Sequence, residues 1–76
     1  MSSKPVVYGK PHCKQCDATT RKLGGIKVDF DYIDLSESPD ALVVIKELGY
    51  LQAPVVYVDA DTHWSGYRPD LIDLHL

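Results

Sequence analysis

Val6-Val7-Tyr8-Gly9-Lys10-Pro11-His12-Cys13-Lys14-Gln15-Cys16 is the stretch whose reading decides the fold. It opens as a short apolar strand, Lys4 to Gly9, breaks at Gly9 and Pro11, and then presents two cysteines three positions apart. Residues 13–23 follow as a helix, which Gly24-Gly25 are expected to close because glycine suits the left-handed conformation at a helix end. The apolar stripe of that helix is thin, resting on Cys16, Thr19 or Thr20, and Leu23.

Outward from this core the pattern stays regular. Val28, Phe30, Tyr32 and Asp34 alternate with Asp29, Asp31 and Ile33, a period of two that predicts a strand over 28–34 with one wetter face. Ser38 is placed to cap the next helix, Pro39 fits its first position, Asp40 complements its positive end and Gly49 closes it. Ala41, Ile45 and Leu48, with Leu42 and Val44 beside them, form its inward stripe. Pro54 stands at the start of a strand, Val55 to Val58, where proline is tolerated. The turn Asp59-Ala60-Asp61 leads into a second strand, Thr62 to Ser65, as in a hairpin. Pro69 and Asp70 open a last short helix through Leu74. The order β-α-β-α-β-β-α implies an α/β fold with helices packed on one central sheet.

The chain has 76 residues, enough for one domain, 1–76, with a modest core. Two cysteines are too few to replace that core with a disulfide framework. Net charge is −3, which disfavours a nucleic-acid partner. After Met1-Ser2-Ser3-Lys4-Pro5 the apolar run is only Val6 to Tyr8, too short for a secretory signal or a membrane span. The expectation is a cytoplasmic protein without a membrane partner. Thiols are kept reduced there, so a disulfide would be transient and catalytic.

A disulfide needs Cα atoms roughly 4.4–6.8 Å apart, and one helical turn brings positions i and i+3 into that range. Cys13 also falls at the helix start, where unpaired N–H groups and the helix dipole favour a thiolate. Lys10, Lys14 and His12 add positive potential around it. Cys13 is therefore the expected nucleophile and Cys16 the resolving thiol. A lone CxxC is also half of a zinc site, which His12 and His63 would have to complete. Zinc sites ordinarily bring a second paired motif, and none is present, so no metal is expected. His75 reads as a surface residue.

Four blocks together resemble the NrdH-type redoxins, glutaredoxin-like proteins of the thioredoxin fold. They are Tyr8 to Cys16; Asp34-Leu35; Leu48-Gly49-Tyr50-Leu51-Gln52-Ala53-Pro54-Val55-Val56; and His63-Trp64-Ser65-Gly66-Tyr67-Arg68-Pro69-Asp70. The last is the most specific, since ordinary glutaredoxins and thioredoxins do not carry it. The resemblance implies a central four-stranded mixed sheet flanked by three helices. It implies an electron carrier that holds no cofactor, takes electrons from NADPH through thioredoxin reductase, and passes them as a monomer to the large subunit of class Ib ribonucleotide reductase.

It further implies that Pro54 is a cis-proline facing the cysteines, after Ala53. Lys10, Pro11, His12, Lys14, Gln15, Ala53, Pro54 and the loop Trp64, Ser65, Gly66, Tyr67, Arg68 would then support the site or meet partners. Trp64 is an aromatic on a hairpin strand, but its polar company favours a fixed surface loop over the core. Arg68 would brace that loop, with Asp59 or Asp61 as its partner, and Tyr67 would pack beneath it. Two residues depart from the family pattern. Gly9 stands where threonine is common, removing a hydroxyl near the thiols, and Lys27 stands where glycine usually precedes the second strand, so the left-handed turn is expected to move to Gly24-Gly25. The competing reading is a glutathione-dependent glutaredoxin, for which Lys10, Gly66 and Asp70 remain but Tyr67-Arg68 is bulky.

Overall fold

A computed structural model describes residues 4–76; Met1 to Ser3, part of the segment expected to carry no leader, lie outside the described residues. The chain runs β1 (Val6–Gly9), α1 (Lys14–Gly25), β2 (Asp31–Asp34), α2 (Pro39–Glu47), β3 (Val55–Asp59), β4 (Thr62–Ser65) and α3 (Pro69–His75). The four strands form one mixed sheet in the order β2-β1-β3-β4. β1 is parallel to β2 and antiparallel to β3, and β3 is antiparallel to β4. This is the thioredoxin-like arrangement that the family resemblance implies, on the one central sheet expected from the element order. Among the described residues no helix is long and apolar enough to cross a membrane.

Strand alternation sorts the apolar residues onto two faces. Val7 and Val56 point to one side, where they meet Leu23 of α1, Trp64 of β4 and Ile72 of α3. Tyr8 and Val55 point to the other, against Leu35 and against Ala41 and Ile45 of α2. β2 is shorter than the alternation predicts. β1 offers backbone partners only from Pro5 onward, whose carbonyl accepts from Asp31 N–H at 3.0 Å. Val28 and Phe30 keep the expected phase and pack on the first cluster without joining the sheet.

The helix ends explain a second difference. Gly24 and Gly25 do not close α1 in a left-handed conformation; they run as helix, and Lys27 takes the positive φ of 61°. Lys27 N–H donates to Gly24 O at 3.2 Å and Val28 N–H to Leu23 O at 2.9 Å. These are the two bonds of a Schellman ending, which also brings the residue after the left-handed one against the last turn. The helix therefore persists until Val28 can reach the cluster that holds Leu23. α2 ends the same way with a glycine in the left-handed place: Gly49 has φ 94°, Gly49 N–H donates to Lys46 O at 3.0 Å, and Tyr50 N–H donates to Ile45 O at 2.9 Å. At its start the Ser38 hydroxyl accepts from Ala41 N–H, and Pro39 occupies the first turn, as expected. In the hairpin, a bulge at Val58 separates the Tyr57–His63 pair from the Asp59–Thr62 pair.

Candidate active site

Cys13 is the N-cap of α1 and Cys16 lies in its first turn, joined to Cys13 by a disulfide across a Cα–Cα distance of 5.2 Å. The Cys13 sulfur accepts from Cys16 N–H at 3.1 Å, so a cysteine performs the capping usually left to a hydroxyl or carboxylate. Cys13 is 8% exposed and Cys16 1%. Below them α1 buries Thr19, the member of the Thr19–Thr20 pair that takes the inward position; its hydroxyl donates to Gln15 O at 2.8 Å. His12, just before the cap, has φ 57°, a left-handed conformation that histidine adopts more readily than most residues and that turns the chain from β1 into the helix. Pro11, His12 and Lys14 are exposed around the pair.

One contact ties a distant segment to this turn, and two more tie that segment to the residues around Pro54. Gln15, between the cysteines, accepts through Oε1 from Tyr67 N–H at 3.1 Å, across 52 residues of sequence. Gly66 N–H donates to Pro54 O at 2.8 Å, and Ser65 Oγ donates to Gln52 O at 3.2 Å. The Ala53–Pro54 peptide is cis, and Pro54 is buried. Beside these residues a groove of about 300 Å³ runs along α2, lined in part by Lys10, Leu42, Ile45, Leu51, Gln52 and Ala53. Leu51 is 85% exposed there, an apolar side chain held out in water.

Residues 6–64 match the Glutaredoxin family. The chain belongs to that family. It is 37% identical to the glutaredoxin-like protein NrdH of Escherichia coli K12 over 67 residues, covering 88% of this chain and 82% of the relative. To the glutaredoxin-like protein NrdH of Lactococcus lactis IL1403 it is 36% identical over 63 residues, 83% of this chain and 86% of that one. The solved NrdH-redoxin of Escherichia coli superposes with a TM-score of 0.89 at 34% identity, over 97% of this chain and 96% of that structure. These likenesses make the chain an NrdH-type redoxin, a thiol–disulfide oxidoreductase whose CxxC pair is Cys13 and Cys16.

The redoxin corrects three expectations for its last block. Trp64 is not on a surface loop: it is 5% exposed and packs in the α1/α3 cluster, because β4 alternation pairs it with Val56 on that face. Its indole lies 5.9 Å from the ring of His75, which is at the surface as expected. Arg68 does not reach Asp59 or Asp61. It binds Asp70 two residues on, Nε to Oδ1 at 3.1 Å and Nη2 to Oδ2 at 2.9 Å, a short fork that leaves Asp59 to accept from Asp61 N–H within its own turn. Arg68 hydrogen bonding holds the Asp70 carboxyl below its ordinary value. Tyr67 does not pack beneath the turn; its side chain is exposed, and only its backbone is engaged by Gln15.

Two groups near the site escaped the sequence reading. Tyr32 on β2 leans over Gly9: a Cβ at position 9 would fall 2.7 Å from Tyr32 Cζ, with the phenol hydroxyl nearer still. The absent side chain at Gly9 is thus what lets a phenol lie over the strand end that leads into the CxxC turn. Partial burial, then the charges of Asp34 and Asp17, push the Tyr32 phenol above its ordinary value, so it stays neutral. The signal was Gly9 itself, a glycine at the end of a strand, which marks close approach of another group. The second is the pair Tyr50 and His63, whose hydroxyl and Nδ1 are 2.8 Å apart. Among the described residues no three His, Cys, Asp or Glu side chains gather as a metal site.

Proposed function

We propose that this redoxin carries electrons from NADPH, delivered by thioredoxin reductase, to the large subunit of class Ib ribonucleotide reductase. In this reading it acts in the cytoplasm as a single-domain monomer, binds no cofactor, and engages neither nucleic acid nor membrane. The observation that carries the reading is the turn Ser65 to Arg68, bonded through Gln15 to the CxxC turn and through Pro54 to the cis peptide. That turn belongs to the block that ordinary glutaredoxins lack, and its Arg68 is forked to Asp70, one of the residues the glutathione-dependent reading retains. The solved relative is described as having a thioredoxin-like activity profile, which supports the same choice of reductase.

The chemistry follows from the pair. In the reduced protein the helix N-terminus favours a thiolate at Cys13, the more exposed cysteine. It attacks one sulfur of the partner disulfide; the other partner sulfur leaves and takes a proton. Cys16 then attacks Cys13, releasing the second partner thiol and closing the Cys13–Cys16 disulfide. Two electrons and two protons pass to the partner, and the reductase returns them from NADPH. Lys10 and Lys14 supply positive potential at the turn, with His12 beside them, while Pro11, Ala53, Pro54 and residues 65–68 shape the surface the partner meets, with Trp64 supporting them from the core.

The test compares turnover of the oxidised protein by NADPH with thioredoxin reductase against NADPH with glutathione reductase and glutathione, followed by a coupled assay with class Ib ribonucleotide reductase. Turnover in the first system, loss of it in Cys13→Ser, and support of ribonucleotide reduction are expected. Turnover only in the glutathione system would reverse the assignment, and full activity of Cys13→Ser would remove Cys13 from the mechanism.

A further inference from the structure

The segment between α2 and β3 holds the most exposed apolar side chain in the groove, yet it is pinned by side chains far away in sequence. Gly49 turns the chain out of α2, and Tyr50 N–H is anchored to Ile45 O. From there the Tyr50 side chain crosses to β4. Its hydroxyl lies 2.8 Å from His63 Nδ1 and 3.1 Å from His63 O. The two rings meet edge to face at 5.6 Å, and the imidazole also stacks on Tyr57 at 6.0 Å with planes 7° apart. Two further bonds continue the line, Ser65 Oγ to Gln52 O and Gly66 N–H to Pro54 O. Residues 50, 52 and 54 are thus tied to 63, 65 and 66, with Leu51 left outward between the first two ties.

We propose that Tyr50 and His63 form a latch that fixes the Leu51–Ala53 wall of the groove for protein-disulfide partners, making both of them positioning residues. The inference rests on the groove being the partner-facing surface of the proposed function. The chemistry of the latch is specific. A carbonyl oxygen only accepts, so the single proton of the Tyr50 hydroxyl goes to His63 O. The 2.8 Å contact is then made by a proton on His63 Nδ1, donated to the phenol oxygen. Each partner donates once and accepts once. The latch holds an apolar wall in its binding shape in advance, so the entropy of ordering it is not charged to complex formation. A small disulfide that reaches Cys13 without filling the groove gains nothing from this.

Tyr50→Phe keeps the ring and removes both bonds. The net worth of one such bond is about 1 kcal/mol, which is about fivefold in an equilibrium constant. The measurement is reduction of insulin disulfides and of hydroxyethyl disulfide by the full chain, recycled by NADPH and thioredoxin reductase at saturating reductase. Tyr50→Phe is expected to raise KM for insulin at least about fivefold, the worth of one bond, with kcat held and hydroxyethyl disulfide turnover unchanged. Adding His63→Leu should change nothing further, because the two residues act as one unit. An unchanged KM, or an equal loss on both disulfides, overturns the latch while leaving the proposed function standing. A wild-type chain that reduced neither disulfide would overturn the function itself. Nitrogen NMR of the wild-type protein gives an independent reading: His63 Nδ1 protonated is expected, and Nδ1 bare with Nε2 protonated would overturn the donor assignment.

Discussion

The two faces of the sheet are packed to different standards. On the α1/α3 side Val7, Leu23, Val56, Trp64 and Ile72 form a sealed cluster, with Val28, Phe30 and Leu71 closing its margins. On the α2 side the cluster is partly phenolic, with Tyr8 in it and Tyr50 and Tyr57 against it, and it opens into the groove. α2 itself turns Leu42, Val43 and Val44 toward water. A chain this short has little apolar surface to bury; each cluster holds five buried residues, but the bulky Leu23, Trp64 and Ile72 lie in the first. The other side keeps apolar groups exposed along the groove, where an interaction surface is worth more than a sealed core. The first face is scaffold and the second is a working surface.

The comparison breaks most visibly under truncation. Leu23 is 0% exposed and enclosed by four other buried side chains, whereas Ile45, at 3%, also lines the groove. Large-to-small changes in cores cost about 2–5 kcal/mol, and the cost depends on how far the site can collapse or admit water. Leu23→Ala should leave a sealed cavity and fall at the upper end of that range. Ile45→Ala should merely deepen the groove and fall at the lower end. Denaturant unfolding of both variants checks this. An Ile45→Ala loss as large as that of Leu23→Ala would mean the α2 face is as rigid as the other.

Which face is scaffold was legible in part. The element order, the Ser38–Pro39 start of α2, the proline before β3 and the place of the cysteines all follow from local signals, and local signals are what a sequence displays. Trp64 reads as a surface residue in sequence because its neighbours Ser65 and Gly66 are polar, while its side chain obeys strand alternation and packs with Val56 and Ile72. Arg68 was given a distant carboxylate although Asp70, two residues away, closes a shorter fork. Lys27 shows the same lesson at a helix end: the demand that Val28 reach Leu23 outweighs the preference of Gly24-Gly25 for a left-handed turn. The Gln15–Tyr67 bond spans the chain, and no pattern along a single strand or helix announces it.

A smaller effect is expected where β2 leans on the active-site strand. Gly9→Ala puts a Cβ into the Tyr32 ring, 2.7 Å from Cζ and 2.9 Å from Cε2. The ring is half exposed and can swing outward, so the cost should be about 1 kcal/mol, the low end for overpacking. The cost belongs to the pair and not to the glycine, because φ at Gly9 is not left-handed. In a Tyr32→Ala background Gly9→Ala should therefore cost close to nothing, a coupling that a double-mutant cycle reads directly. Equal costs in both backgrounds would mean that Gly9 is required by something other than the phenol.

The smallest effect tests whether the turn beside the cysteines depends on charge. Arg68 hydrogen bonding, opposed by slight desolvation and aided by Leu71 N–H, lowers the Asp70 carboxyl from its ordinary 3.8. A lowered folded value means the unfolded chain takes up the proton at higher pH. The stabilisation is complete above 3.8 and is lost as pH falls through the lower folded value. Both groups are at the surface, so the contribution is small and screened by salt. The turn's links to the CxxC motif and to Pro54, by contrast, run through an uncharged amide oxygen and backbone groups. Asp70→Asn should therefore shift the thermal midpoint slightly at neutral pH, with the wild-type and variant curves converging in acid. The rate of Cys13 oxidation by hydroxyethyl disulfide should be the same in both. A variant that lost that rate along with the ion pair would show that Arg68 and Asp70, and not Gln15, hold the turn against the cysteines.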